Sequence, residues 1–261
     1  MAVFRLKSAT VALLTGVLIA FSAHAQQASA QDAALEPATA QRVVDQFHAS
    51  LINVMKEGSN LGYDGRFQWL SPVIRETFNL PFMAEVTAGI YWAKASEEQR
   101  KRFVEAFSNF STATYAERFD NYGGEAFATQ GADEEGRTSV VVRTELTDRD
   151  GGHTQISYLL RDFDGQWKIV DVYLNGSISE LAVKKSDYSD ILKNGGMDAL
   201  SKAIEDKIAS IAKEESRAAA KSSSRRPEAA GKAGAGFPRP PKRITLARHA
   251  RGAHLFGLQR A

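Results

Sequence analysis

The chain has no cysteine and only five histidines among its 261 residues. The absence of cysteine excludes thiol catalysis, zinc–thiolate sites and iron–sulfur clusters, and it leaves core packing alone to hold the fold together. No H-E-x-x-H, G-x-S-x-G, Walker or G-x-G-x-x-G motif occurs. No apolar run reaches the ~20 residues that a membrane-spanning helix needs. Catalysis therefore has little support, and we predict a protein that is not an enzyme and needs no cofactor or metal.

Two histidines, His48 and His153, lie between the two ends of the chain. His48 follows Phe47 in a predicted helix, and His153 follows two glycines in a predicted hairpin turn. We predict that both are surface residues rather than ligands or bases. Carboxylate pairs such as Asp162/Asp164 lie at predicted turns, where Asp is favoured because it bonds to nearby backbone groups.

The first 25 residues contain the three parts of a secretory signal peptide in the required order. Arg5 and Lys7 form the positive region, residues 11–21 form the apolar region, and the sequence A-H-A ends at Ala25. We expect cleavage after Ala25 and export to the periplasm, with a linker at residues 26–37. An uncleaved membrane anchor is the alternative.

The charge is divided between an acidic body and a basic C-terminal tail. Residues 216–261 hold eleven Lys and Arg against one Glu, whereas residues 26–215 hold 20 basic and 30 acidic residues. An acidic body argues against nucleic-acid binding. The tail, residues 213–261, has low complexity and is predicted to be disordered. Its cations would favour transient contact with an anionic membrane surface, at ~1 kcal/mol each. A frameshift near the end would give a similar composition.

Between these ends, residues 38–212 are predicted to form one α+β domain. Helical periodicity predicts a helix over residues 38–57, an interrupted helix over 66–78 broken at Pro72, a short helix after Pro81, a long helix opened by a capping box at Ser96, and helices over 187–193 and 196–212. Alternation predicts a weak strand over residues 126–130 and three strands, TSVVVRTEL, TQISYLLRD and QWKIVDVYL. Helices followed by consecutive strands predict a curved antiparallel sheet with helices on one face.

The long predicted helix is unusual in its aromatic content. Its six rings sweep about half of the circumference, wider than the ~100° stripe of an ordinary surface helix. Either all of them lie in the core, or part of the arc lines a cavity between sheet and helices. The rings are Phe103, Phe107, Phe110, Tyr115, Phe119 and Tyr122.

Apolar residues on the strands and on the preceding helices would complete the walls of such a cavity. Alternation places Trp167, Ile169 and Asp171 on one face of their strand. Met and aromatic walls suit a flexible hydrocarbon ligand. The candidate lipid-binding residues are Phe82, Met83, Val86, Ile90, Trp92, Phe103, Phe107, Phe110, Tyr115, Phe119, Val140, Val142, Tyr158, Leu160, Trp167 and Ile169.

Several motifs over roughly residues 40–212 resemble those of the toluene-tolerance/MlaC family of periplasmic lipid-binding proteins. They are W-x-x-x-S-x-E-Q-x-x-x-F, G-x-W-K-I-x-D-V and the late G-G-x-D-A-L. The segments TATYAERFDNYGGE and DVYLNGSISELAVKKSDYSDIL resemble its hopanoid-associated, HpnM-like branch. The chain departs from the family at Asn79 and Asn175, where related sequences carry acids, and in the basic tail.

The resemblance implies an NTF2-like α+β fold, with helices on a curved antiparallel sheet of about four strands that together enclose an apolar cavity. It also implies a carrier of phospholipid or hopanoid, working between an inner-membrane ABC transporter complex and an outer-membrane lipoprotein. Family members contact the acyl tails through apolar side chains and have no fixed catalytic motif.

Two other functions stay open. An NTF2-like enzyme acting on a polycyclic lipid would use an inward Asp171 or Tyr158, and a raised pKa of Asp171 inside an apolar pocket would favour it. A ligand-free adaptor of a membrane transport complex would instead have a packed core without an acyl-sized cavity.

Overall fold

A computed structural model describes residues 37–224 of the chain. The predicted signal peptide, nearly all of the predicted linker and the greater part of the basic tail lie outside the described residues. No helix within residues 37–224 is both long and apolar enough to cross a membrane.

Five helices precede the sheet and a sixth follows it. The helices are α1 (Pro37–Lys56), α2 (Gly58–Thr77), α3 (Leu80–Ala88), α4 (Ile90–Lys94), α5 (Glu97–Arg118) and α6 (Glu180–Ser224). The strands are β1 (Ala126–Glu134), β2 (Ser139–Thr147), β3 (His153–Phe163), β4 (Gln166–Leu174) and β5 (Ile178–Ser179). They form one antiparallel sheet in the order β1-β2-β3-β4-β5. The predicted α+β class is confirmed, with a short fifth strand added.

Helix α2 differs from its prediction, because it runs through Pro72 without a break. Its irregular residue is Gly62 instead, with φ 61° and ψ −175°. The residues Arg66, Leu70 and Ile74 form one buried face of this helix. Tertiary packing of that face outweighs the hydrogen bond that a proline removes from a helix interior.

Helix α6 also extends beyond its predicted limits. Gly196, with φ 67°, interrupts it close to where the sequence predicts a boundary between two helices. Its second half continues past residue 212, the predicted end of the domain. Ile211 is buried, and the Glu215 carboxylate lies 2.9 Å from the buried Arg66 guanidinium. The Arg66–Glu215 ion pair ties the start of the predicted tail to α2.

The sheet has a β-bulge that decides which side chains face the helices. Val140 pairs with Leu160, and Val142 with Tyr158. Between β3 and β4, Leu160 pairs with Ile169, but the preceding residue, Leu159, pairs with Asp171. Val170 is therefore the extra residue of β4.

An extra residue shifts all following side chains to the opposite face. The prediction that Asp171 shares the face of Ile169 is therefore wrong: Asp171 lies on the face of Leu159.

Helix α5 is the central element of the helical layer. The predicted capping box is confirmed, because the Ser96 side chain accepts from the Gln99 backbone N–H and the Gln99 side chain accepts from the Ser96 backbone N–H. From Ala106 to Ala116 nearly every residue is buried. The buried hydroxyls donate to carbonyls four residues earlier, as from Ser111 to Phe107. A helix buried all round in this way belongs to the core rather than to the surface.

Gly58, at the start of α2, packs directly against the chain that leaves α5. A Cβ atom at this position would lie 1.7 Å from the Asp120 carbonyl oxygen. We expect Gly58→Ala to lower the free energy of unfolding by about 1–3 kcal/mol, as overpacking does. Urea denaturation followed by circular dichroism measures the change. Gln68→Ala, on the exposed side of the same helix, is the matched control, and an equal effect of the two variants would contradict the prediction.

Candidate functional site

The structure buries most of the candidate lipid-binding residues, but it does not bring all of them together. Phe82, Val86 and Trp92 are half-buried. Ile90 is 71% exposed, because the chain turns outward at Gly89, with φ 55°, between α3 and α4. The remaining twelve are buried: Met83, Phe103, Phe107, Phe110, Tyr115, Phe119, Val140, Val142, Tyr158, Leu160, Trp167 and Ile169.

The first three rings of α5 face α6. The Phe103 ring lies 6.2 Å from that of Tyr188, with the planes nearly perpendicular. The Lys184 ammonium lies 5.5 Å from the Phe107 ring centre and 4.5 Å from that of Phe110. These rings therefore hold the two helices together.

The later rings of α5 face the other way, toward α1 and the sheet. Tyr115 meets Phe47 of α1 edge-on at 5.3 Å, and Phe119 lies 6.3 Å from Phe127 of β1. Tyr122 follows the end of the helix and is 39% exposed, so it belongs to neither group. The wide aromatic arc of α5 is thus explained by two different neighbours.

Seven side chains form a connected set of ring contacts around the end of α5, which we call the ring cluster. They come from α1, α5, β1 and β3, from the loop before α3 and from the residue that follows α5. Neighbouring ring centres are 3.9–6.3 Å apart. In this structure the space predicted to hold a hydrocarbon ligand is filled by these side chains. The ring cluster consists of Phe47, His48, Phe78, Tyr115, Phe119, Phe127 and Tyr158.

His48 is the polar member of the ring cluster, and its predicted place on the surface is wrong. Its side chain is only 4% exposed, its ring stacks on Phe127 at 3.9 Å, and its Nε2 lies 3.0 Å from the Tyr158 hydroxyl. Burial lowers the pKa of His48 to about 4, against the opposing charge of Asp45. The imidazole is therefore neutral at pH 7.

The sequence contains the information needed to place His48. Position 48 follows Val44 by four residues and precedes Leu51 by three, so it lies on the same helical face as these buried residues. The predicted surface position of the other histidine, His153, is confirmed: its side chain is 58% exposed and lies 3.0 Å from Glu145.

Helix α1 lies between two clefts that reach the ring cluster. The first cleft lies between α1 and β1 and has a volume of about 440 Å³. It is lined by Asp45, His48, Ala49, Ile52, Asn53, Phe127 and Thr129. The second cleft lies between α1 and the pair α2 and β4 and has a volume of about 250 Å³. It is lined by Val43, Gln46, Phe47, Ser50, Val73, Glu76, Thr77, Trp167 and Lys168. Phe47 and His48, neighbours in the chain, thus border one cleft each.

Lys184 is a fully buried cation at the other group of α5 rings. Burial lowers the pKa of its ammonium to about 7, although Glu180 and Asp187 oppose the shift. Glu180 is also buried, one helical turn before Lys184. The rings of Phe107, Phe110 and Tyr188 surround the ammonium with their faces, as cation–π contacts require.

Asp171, the candidate acid of an enzyme, is buried and its pKa is raised by desolvation. Its carboxylate nevertheless serves the chain itself: it accepts hydrogen bonds from the backbone N–H groups of Val172 and Leu181 and from the Ser179 hydroxyl. These bonds join β4 to the start of α6. Within residues 37–224 no three His, Asp or Glu side chains are placed to hold a metal ion.

Asn79 and Asn175, where related sequences carry acids, have local backbone roles. The Asn79 side chain accepts a hydrogen bond from the Phe82 backbone N–H at 3.1 Å and so caps α3. Asn175 adopts a positive φ of 49° in the turn after β4, a conformation that Asn tolerates better than most residues.

We expect His48 to make the stability of the fold depend on pH. Between pH 6.5 and about pH 4 the unfolded chain binds a proton at His48 and the folded chain does not. The free energy of unfolding therefore decreases as the pH is lowered through this window, and His48 accounts for roughly 3 kcal/mol of the decrease. Urea denaturation at several pH values should show a smaller loss for His48→Gln than for the wild-type chain.

His153→Gln is the matched control for this measurement, since it replaces an exposed histidine. It should keep the pH dependence of the wild-type chain. A His48→Gln variant that loses stability with falling pH as steeply as the wild type would contradict the burial of a neutral imidazole.

Known proteins are similar to this chain in sequence and in fold. Toluene tolerance protein ttg2D of Pseudomonas putida is 25% identical over 159 residues, which are 60% of this chain and 71% of that protein. A phospholipid-binding protein from Ralstonia solanacearum, solved in complex with a phospholipid, matches the structure with a TM-score of 0.60 at 21% identity. That match covers 66% of this chain and 98% of the other. The family model described as MlaC protein matches residues 41–206, from α1 through the sheet into the second half of α6, and this chain therefore belongs to the MlaC family.

Proposed function

We propose that this protein is a periplasmic lipid carrier that binds the acyl chains of a phospholipid in the apolar interior between α1, α5 and the sheet. The observation that carries the proposal is the family match over residues 41–206, which includes every residue of the ring cluster. The phospholipid bound to the Ralstonia solanacearum protein supports the same ligand class.

The energetics of transfer explain why a carrier needs such an interior. Two acyl chains of about 30 methylene groups lose roughly 24 kcal/mol when they leave a bilayer for water, at ~0.8 kcal/mol per group. Only a dry apolar surround of similar size makes the transfer nearly neutral. The ring cluster and the inward residues of β2, β3 and β4 form a continuous apolar interior that borders both clefts.

Because the rings of the ring cluster pack against one another, a lipid that binds there must displace some of the contacts between them. Aromatic pairs contribute ~0.5–1.5 kcal/mol each beyond the area they bury. This is small beside the free energy of burying acyl chains, so a lipid can separate the rings. The Tyr158–His48 hydrogen bond keeps both polar groups satisfied while the apolar ring surfaces exchange one neighbour for another.

The setting of the carrier follows from the features of the chain ends and from the family. The predicted signal peptide at residues 1–25 supports export and a periplasmic location. An inner-membrane ABC transporter complex would load or unload the carrier, and an outer-membrane lipoprotein would be the other partner. The HpnM-like segments make a hopanoid the second candidate ligand.

Detergent-free native mass spectrometry tests the proposal. The protein, expressed with its leader so that it is exported, should carry an adduct of phospholipid mass, and lipid extraction of the same sample should identify that lipid. An adduct of hopanoid mass would change the ligand but not the function. A clean apo mass that persists after incubation with vesicles would contradict the carrier and favour the ligand-free adaptor, for which the packed ring cluster is the argument.

Surface adsorption needs a control of its own. Trp69 and Ile90 are large apolar residues that are 41% and 71% exposed. A variant that combines Trp69→Ser and Ile90→Ser should keep the lipid adduct at wild-type occupancy, because neither side chain belongs to the ring cluster. Loss of the adduct in this variant would place the lipid on the surface.

A further inference from the structure

The C-terminal end of helix α1 is fixed to a neighbouring segment. At its C-terminal end the Met55 carbonyl accepts from the Tyr122 backbone N–H at 3.0 Å, and the Lys56 ammonium lies 5.3 Å from the Tyr122 ring centre. Gly58 then packs against the Asp120 carbonyl oxygen. This end is fixed to the segment that follows α5.

The middle of α1 makes one side-chain hydrogen bond and one ring stack with β1. The Asp45 carboxylate accepts from the Thr129 hydroxyl at 2.5 Å, and the His48 ring stacks on Phe127. Between these contacts lies the 440 Å³ cleft. That volume is within the range of small-ligand pockets, ~300–1,000 Å³.

Strand β1 lies at one edge of the sheet. It pairs only with β2, and its register shifts between Thr129 and Gly131, beside the contact with Asp45. Edge strands with bulges bend away from regular pairing. The wall opposite α1 is therefore deformable where the cleft lies.

On its opposite side, α5 is joined to α6 by three side-chain hydrogen bonds. Arg102 donates two hydrogen bonds to the Glu205 carboxylate, at 3.0 and 2.9 Å, and Gln99 donates to Asp198 at 2.7 Å. Parting α5 from α6 would break these bonds as well as the contacts of Phe103 with Tyr188. Moving α1 away from the sheet at this cleft breaks two side-chain hydrogen bonds, Asp45 with Thr129 and His48 with Tyr158, and the ring stack of His48 on Phe127.

We propose that the cleft between α1 and β1 is the portal through which phospholipid acyl chains reach the ring cluster, and that the stacked rings of His48 and Phe127 seal it. Helix α1 opens this portal by pivoting about its fixed C-terminal end. The two clefts along its flanks give it room to move, and separation of His48 from Phe127 exposes Phe119 and Tyr158 directly to the cleft. The portal rests on the proposed carrier function.

A reversible crosslink tests the portal, since the chain has no cysteine of its own. Asp45→Cys combined with Thr129→Cys would join α1 to β1 by a disulfide when oxidised. We measure transfer of a pyrene-labelled phosphatidylethanolamine from phosphatidylethanolamine vesicles to the protein. Oxidation should slow the uptake by about tenfold or more, because gate opening then becomes the slow step, and reduction should restore it.

The matched control places the same crosslink at the fixed end of α1. The Ser59 hydroxyl donates to the Asn121 side chain at 2.9 Å, so Ser59→Cys combined with Asn121→Cys joins α2 to the segment after α5. Oxidation of this variant should leave the uptake rate within about twofold of its reduced form, since that end does not move during gating. Equal slowing in both oxidised variants would overturn the portal.

A second variant tests the seal without a crosslink. Phe127→Ala removes a half-buried ring at the sheet edge, and uptake should become roughly threefold faster or more, with an unchanged circular dichroism spectrum. Uptake at the wild-type rate in Phe127→Ala, or in oxidised Asp45→Cys/Thr129→Cys, would overturn the portal while leaving the carrier intact. No uptake by the wild-type chain would overturn the carrier, and the portal with it.

Discussion

The burial of the second half of α5, from Ala106 to Ala116, is the constraint from which the rest of the structure follows. Serine and threonine side chains in this stretch have little access to water, and their hydroxyls accordingly bond to carbonyls of the same helix. Its bulky residues must then find partners in more than one direction. The early rings meet α6 and the later rings meet α1 and the sheet, so that one helix fixes both neighbours.

The two sides of α5 differ in the chemistry of their contacts. Toward α6 they include ion pairs and the buried Lys184, all of which depend on precise geometry. Toward α1 they are mostly contacts between rings, which depend on area and tolerate rearrangement. A protein that must hold a fold and also admit a hydrocarbon gains from this division, because the adaptable side can exchange contacts while the directional side keeps the helices in place.

Much of this architecture was predictable because its signals are local. The capping box at Ser96, the end of α1 before Gly58 and the alternation of β2, β3 and β4 each depend on a few neighbouring residues. The family resemblance predicted membership that the match over residues 41–206 confirms.

The errors arose where distant parts of the chain decide the outcome. Pro72 is tolerated because α5 covers the helix that contains it, and His48 is buried because Phe127 and Tyr158 come from strands far along the chain. Ile90 is exposed because one glycine turns the chain outward. Four of the seven ring-cluster residues were not predicted, because each lies in a segment with few other rings and only the tertiary fold brings them together. They are Phe47, His48, Phe78 and Phe127.

The extra residue in β4 has a consequence for how the sequence can vary. Removing Val170 would make Ile169 and Asp171 consecutive residues and would restore regular pairing between β3 and β4, with Asp171 still opposite Leu159. The Asp171 carboxylate would therefore stay on the face where it accepts the hydrogen bond from the Leu181 backbone N–H at the start of α6. The register of β4 should thus tolerate a single deletion at position 170, at the expense of the packing of the buried Val170 side chain. The bulge separates, within a single strand, the residue that anchors the last helix from those that form the interior.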